Sequence, residues 1–133
     1  MRQRAPATRA DAGSASAEFV LVSALLALVF ASVVQLGLAM HVRNTVVDSA
    51  IAGARIAAAA DRSHADGAAH TARLIRAAVS ERYARDITVA EASHAGGGIV
   101  TVTVRTPVPV LGLLSPAGTW ELSGRALAED PQL

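Results

Sequence analysis

Cysteine is absent from the 133 residues. That removes disulfides, thiolate catalysis and cysteine metal sites together. Export stays open, because a long helix and a sheet can share a core without a cross-link. Lysine is absent too, and all 12 basic residues are arginine. Aromatics make up 3% of the chain against an apolar fraction of 52%, with alanine supplying most of the excess. A GC-rich coding bias produces both preferences, so neither is a functional sign. With 11 acidic residues the net charge is +1, which is no polyanion-binding signature. The arginines are scattered rather than striped, and Tyr83 and Trp120 are the only aromatics beyond the N-terminal third. Nucleic acid is therefore not expected as a partner.

Chemistry-bearing clusters are scarce as well. The histidines are His41, His64, His70 and His94. His64, Asp66 and His70 fall in a polar break with no second ligand cluster, so a surface role is expected and no metal. No serine stands in a nucleophile elbow, and no glycine-rich loop precedes a helix. The sequence predicts neither an enzyme, a cofactor nor a small-molecule substrate.

What the chain does have is a long uncharged run. From Phe19 to Met40, 22 residues carry no formal charge, and Gln35 is the most polar of them. At about 1.5 Å per residue they span roughly 33 Å, enough for a hydrocarbon core of about 30 Å. The run is apolar all round, unlike a helix on a soluble surface. Arg2, Arg4 and Arg9 precede it, and Arg43 alone follows closely. The N-terminus is thus expected in the cytoplasm and everything beyond Met40 outside. A secretory signal cut near Ala39 is the competing reading. Its apolar core would be shorter, about 7–15 residues, and would not run on into a helical pattern as this one does at Val42.

At the entrance stands Gly13-Ser14-Ala15-Ser16-Ala17-Glu18-Phe19. A carboxylate at the edge of hydrocarbon is costly unless partnered. Glu18 also suits a simple role near the helix start, where its charge favours the dipole. Ser23, Ala27, Ala31, Gln35 and Ala39 follow at four-residue steps. Such a small-residue stripe lets helices approach closely in lipid, with Gln35 able to hydrogen-bond across; alanine bias would produce it equally well.

Gly13 followed by Glu18-Phe19 resembles the processing site of type IV prepilins, in particular the short-leader class of tight-adherence (Tad/Flp) pilus systems. In that family a membrane-embedded aspartic prepilin peptidase cuts after the glycine, on the cytoplasmic side. The resemblance implies that Gly13 ends the leader, Ser14 becomes the new N-terminus, and Glu18 and Phe19 become the fifth and sixth mature residues. The freed amine titrates near about pH 8 and is cationic at neutrality. Pairing it with a neighbouring subunit's glutamate would offset the carboxylate's desolvation and set axial register.

The stretch Val34–Asn44 is similar to the end of the membrane helix in TadE-like proteins. Ala50-Ile51-Ala52-Gly53-Ala54-Arg55-Ile56-Ala57 is similar to their Ala-Arg-Glu-Gly-Ala-Arg-Tyr-Ala segment. Gly53, Ala54 and Arg55 match, while Ile51 and Ala52 replace the usual Arg and Glu. Gln35 stands where Glu is frequent and Ser23 where proline is common. The resemblance covers roughly residues 13–57 and implies a divergent TadE-like minor pilin or pseudopilin. The prepilin peptidase, other pilin-like subunits and the pilus assembly machinery would be its partners.

Beyond the membrane, Val42, Val46, Ala50, Ala54 and Ala58 form one apolar edge, widened by Val47, Ile51 and Ala57, with Asn44, Asp48 and Arg55 away from it. The helix is expected to reach Ala60. Asp61–Gly67 reads as a break, with Gly67 as punctuation. A second helix is predicted over Ala68–Tyr83, burying Leu74, Ile75, Ala78, Val79 and Tyr83 with Arg73, Arg76 and Arg82 outward. Strands are predicted at Ile87–Ala92, Ile99–Arg105 and Thr119–Ala128, with Ser93–Gly98 as a hairpin turn. Pro107, Pro109 and Pro116 force an irregular apolar loop over Thr106–Gly118. Its Val108, Val110, Leu111, Leu113 and Leu114 either fold under the sheet, the favoured outcome, or form a contact patch for a subunit or the membrane surface.

The expected fold is α+β and pilin-like. A cytoplasmic leader spans 1–13, a transmembrane helix 14–40, and an extracytoplasmic domain 41–133 with a second helix and a three-stranded antiparallel sheet. The chain is expected in the cytoplasmic membrane, crossing it once. Two rivals remain: an uncleaved single-pass anchor or adaptor with an exported partner-binding domain, and a soluble secreted domain starting near Met40.

Overall fold

Between Pro6 and Pro107 the chain has no proline, so nothing there forces a helix to break. The computed structural model describes residues 9–109 and 118–128, and Arg9–Ala58 form one α-helix, α1, of 50 residues. The helix begins five residues before Ser14 and stops two short of Ala60. The chain divides into two units, Met1–Leu36 and Gly37–Leu133.

In the first unit every described residue from 13 to 34 is exposed, including Phe19, Leu25, Leu26, Phe30 and Val33. An apolar helix left bare over six turns lacks the burial that stabilises helices in water. Here α1 is long and apolar enough to cross a membrane, and the most apolar stretch of it has no buried residue.

The second unit packs the rest of α1 against a second helix and a sheet. Helix α2 is His64–Ala78, and a single 3₁₀ turn, Glu81–Tyr83, follows it. Strands β1 (Asp86–His94), β2 (Gly97–Pro107) and β3 (Thr119–Leu127) form an antiparallel sheet in the order β1-β2-β3. The α+β class and the three-stranded sheet are as the sequence predicts. Val42, Val46, Ala50, Ala54, Ile75, Val102 and Val104 form the centre of the core. Each fully buried Val or Ile contributes about 1.5–3 kcal/mol relative to exposure.

Several boundaries differ, each for a local reason. Helix α2 starts within the expected break because Ser63 and Asp66 form a capping box. The Ser63 N–H donates to Asp66 Oδ2 at 2.9 Å, and the Asp66 N–H donates to Ser63 Oγ at 3.2 Å. That satisfies two of the helix's unpaired donors. The buried face of α2 is Gly67, Thr71 and Ile75, whereas Leu74 and Ala78 are exposed. Small side chains at 67 and 71 let α2 approach α1 closely, which turns Leu74 outward. Helix α2 ends at Ala78, and Tyr83 is buried from the 3₁₀ turn instead.

In the β1–β2 hairpin His94 pairs with Gly97, leaving a turn of Ala95 and Gly96. Gly97 has φ +119, which L side chains rarely adopt, yet it and Gly98 belong to β2. Strand β2 also runs two residues past Arg105, to Pro107, where a missing N–H is tolerated at the strand's end. The Val108 N–H donates to the Gly118 carbonyl at 3.0 Å, and Pro109 is fully buried. Residues 110–117, which hold most of the predicted apolar loop, lie outside the described residues, as do residues 1–8 of the predicted leader.

Candidate functional site

Gly13, Ser14, Glu18 and Phe19 all lie within α1 and are all exposed. Ser14 and Glu18 are four residues apart, hence on one side of the helix. Phe19, 73% exposed, has its ring uncovered at the start of the apolar run. Nothing lies within 4 Å of where a Cβ on Gly13 would stand. The Gly13–Ser14 peptide bond is itself helical, a full turn beyond the start of α1. A bond held in a helix must unwind before a peptidase can bind it extended. Glycine lowers that cost by about 0.5–1 kcal/mol relative to alanine.

Of the small-residue stripe, Ser23, Ala27 and Ala31 are exposed, while Gln35 and Ala39 are half-buried. Successive members at four-residue spacing drift by about 40° around the axis, so the stripe winds as a ridge rather than a flat face.

A second set of residues, unexpected from the sequence, fixes the part of α1 that belongs to the second unit. Gly53 and Gly67 face one another across the α1–α2 crossing. A Cβ on Gly67 would stand 2.5 Å from the Ala57 Cβ and 2.6 Å from the Gly53 carbonyl oxygen; one on Gly53 would stand 2.7 Å from the Gly67 carbonyl oxygen. Thr71 locks the crossing: its buried hydroxyl lies 3.0 Å from the Gly67 carbonyl and 3.3 Å from the Ser49 carbonyl. On the opposite side, a Cβ on Gly124 would come within 2.6 Å of the Ile51 Cα. The signal was present as Gly53-x-x-x-Ala57 and Gly67-x-x-x-Thr71, small pairs at helical spacing on two helices.

The side chains considered for a metal are engaged elsewhere. His64 Nε2 lies 3.3 Å from Glu91 Oε2, Asp66 serves the helix cap, and His70 Nδ1 lies 3.2 Å from Arg73 Nη2. No group of three or more metal-ligating side chains converges among the described residues. The Asp66 carboxyl is held below its ordinary value, first by the Ser63 backbone N–H and then by the Ser63 hydroxyl.

With this geometry in view, the comparison with known families bears on the whole of α1 from its glycine at 13 to its arginine at 55. Residues 13–55 match the family of TadE-like proteins. The TadE-like segment takes in the Gly13-to-Phe19 entrance, the exposed apolar run, and the first partner of the helix crossing, Gly53. Neither a curated protein nor a solved structure matches the chain.

Proposed function

We propose that this chain is a non-enzymatic minor pilin or pseudopilin of a tight-adherence (Tad/Flp) type IV pilus system. In this reading α1 crosses the cytoplasmic membrane once, with residues 1–13 inside and residues 41–133 outside. Prepilin peptidase removes the leader after Gly13, and the new Ser14 amine and Glu18 set register against other pilin-like subunits. Phe19 begins the hydrocarbon-embedded part, and the ridge from Ser23 to Ala39 packs against neighbouring helices.

The observation that carries the reading is the coincidence of two features in the TadE-like segment. A helix bare of cover from Phe19 to Val34 and free of charge on to Met40 is preceded at its entrance by Gly13 and Glu18. Such a helix needs lipid or other helices around it. A carboxylate at that depth needs a cation.

One observation favours the uncleaved anchor instead: α1 starts at Arg9, so the scissile bond is helical. Intact-mass measurement and N-terminal sequencing of the membrane form from its native host separate the two. A chain starting at Ser14 supports the pilin, an intact Met1 supports the anchor, and a soluble product starting near Met40 overturns both.

A further inference from the structure

Next to the Gly53–Gly67 crossing, the second unit carries an open groove of about 780 Å³. Asp66, Ala69, Arg73 and Arg76 line it from α2, at steps of three, four and three residues that share one face of a helix. Ile56, near the end of α1, and Arg62, in the turn between the helices, add to the lining. Every one of these residues belongs to the second unit. The groove is therefore independent of whether α1 crosses a membrane or is cut.

Charge is concentrated here. Three arginines line the groove against one carboxylate, an excess of two positive charges where the whole chain has a net +1. Asp66 is committed to the helix cap, where its Oδ2 accepts from the Ser63 N–H and from the Ser63 hydroxyl, each at 2.9 Å. Arg62 Nε lies 3.8 Å from Asp61 Oδ2, and a pair so exposed holds weakly. Arg73 and Arg76 are exposed and make no ion pair among the described residues. The Arg73 guanidinium can only donate, so its 3.2 Å contact makes His70 Nδ1 an acceptor and leaves Nε2 as a further donor at the groove.

An occupant must therefore be anionic, and the lining narrows its kind. No aromatic side chain borders the groove, so nucleic-acid bases would have nothing to stack on. Ile56, Ala69 and Ala72 give it an apolar part instead. A small anion on one exposed arginine would be held weakly. Several carboxylates on one chain are held together, because after the first contact the others are intramolecular. From Asp66 to Arg76 the helix rises about 15 Å, the length of four or five extended residues. Alternate side chains of an extended segment share a face at about 7 Å spacing, so three carboxylates fit that length.

We propose that this groove binds an acidic segment of a partner protein. Its carboxylates pair with Arg62, Arg73 and Arg76, and its backbone and small side chains lie against Ile56, Ala69 and Ala72.

Fluorescence anisotropy of a labelled, end-blocked Glu-Ala octapeptide, titrated with the full chain in uncharged detergent at low salt, tests this. The peptide should bind at least about tenfold more tightly than its Gln-Ala counterpart, the scale of three exposed ion pairs acting together. An Arg62→Gln, Arg73→Gln, Arg76→Gln variant should lose that preference. An Arg43→Gln, Arg85→Gln, Arg125→Gln variant, with the same change in charge outside the groove, should keep it. Both sets are exposed, so neither exchange touches the core. Equal losses in the two variants, or equal binding of the two peptides, would overturn the groove as a carboxylate site. Tighter binding of an eight-nucleotide oligothymidylate than of the Glu-Ala peptide would give the groove to a polyphosphate chain and overturn a protein partner. Binding that emerges only after residues 129–133 are removed would give it to the chain's own Glu129 and Asp130, with the same result. Absence of binding by every probe overturns the proposal outright.

Discussion

Gly53 and Gly67 meet backbone to backbone: a Cβ on either would stand within 2.7 Å of the other's carbonyl oxygen, and the Thr71 hydroxyl fills the place of the one missing from Gly53. This contact brings α2 close enough for the Thr71 hydroxyl to reach the Ser49 carbonyl. Gly53→Ala and Gly67→Ala are each expected to destabilise the second unit by about 1–3 kcal/mol, the usual effect of forcing a methyl into a filled crossing. Denaturant unfolding of the full chain in detergent, followed by Trp120 fluorescence, reads this. Variants that melt with the parent would show that the helices separate at no cost.

The Ser63–Asp66 cap makes a pH-dependent prediction. Asp66 titrates below its ordinary 3.8 in the folded chain, chiefly through the Ser63 N–H. A depressed folded value adds stability that is complete above the ordinary value and is lost as pH falls through the lowered one. The stability gap between the parent and Asp66→Asn should therefore narrow between about pH 7 and about pH 2, two points that bracket a carboxylate's range. Ser63→Ala should cost about 0.5–2 kcal/mol at neutral pH. A gap that widens in acid would contradict the assignment.

Gly13→Ala should stiffen the helix around the scissile bond by about 0.5–1 kcal/mol and slow leader removal. Under the proposed function, Glu18→Ala should leave removal largely intact and impair assembly, because in that reading it takes away only the partner of the freed amine. Pulse-chase gels follow the first effect and recovery of assembled subunits the second. Normal assembly of Glu18→Ala would remove the charge-pairing argument.

Thr106 is fully buried, and its hydroxyl has no partner among the described residues. An unsatisfied buried hydroxyl costs about 1–3 kcal/mol. Thr106→Val keeps the shape and should raise stability by about 1 kcal/mol, seen as a higher midpoint in the same denaturant titration. A lower midpoint would mean that the hydroxyl is satisfied after all.

Apolar periodicity made most of this legible. Val42, Val46, Ala50 and Ala54 are buried along the predicted edge of α1, and Val100, Val102 and Val104 along one face of β2. The TadE-like segment was readable from Gly13, Glu18-Phe19 and Gly53-Ala54-Arg55, and the family match covers the same stretch. What escaped depends on partners distant in sequence. Gly67 reads as a helix breaker until Gly53 is known to lie opposite it. Leu74 looks buried until Thr71 is known to face α1. A closely spaced signal, Ser63-x-x-Asp66, was available and marks the start of α2 better than the polar composition around it.

The part of α1 beyond Gly37 is the middle of the second unit: Val42, Val46, Ala50 and Ala54 lie in its core, with Gly67 and Thr71 near one flank and Gly124 on another. A soluble fragment trimmed beyond Val46 would lose the post around which its sheet and second helix assemble.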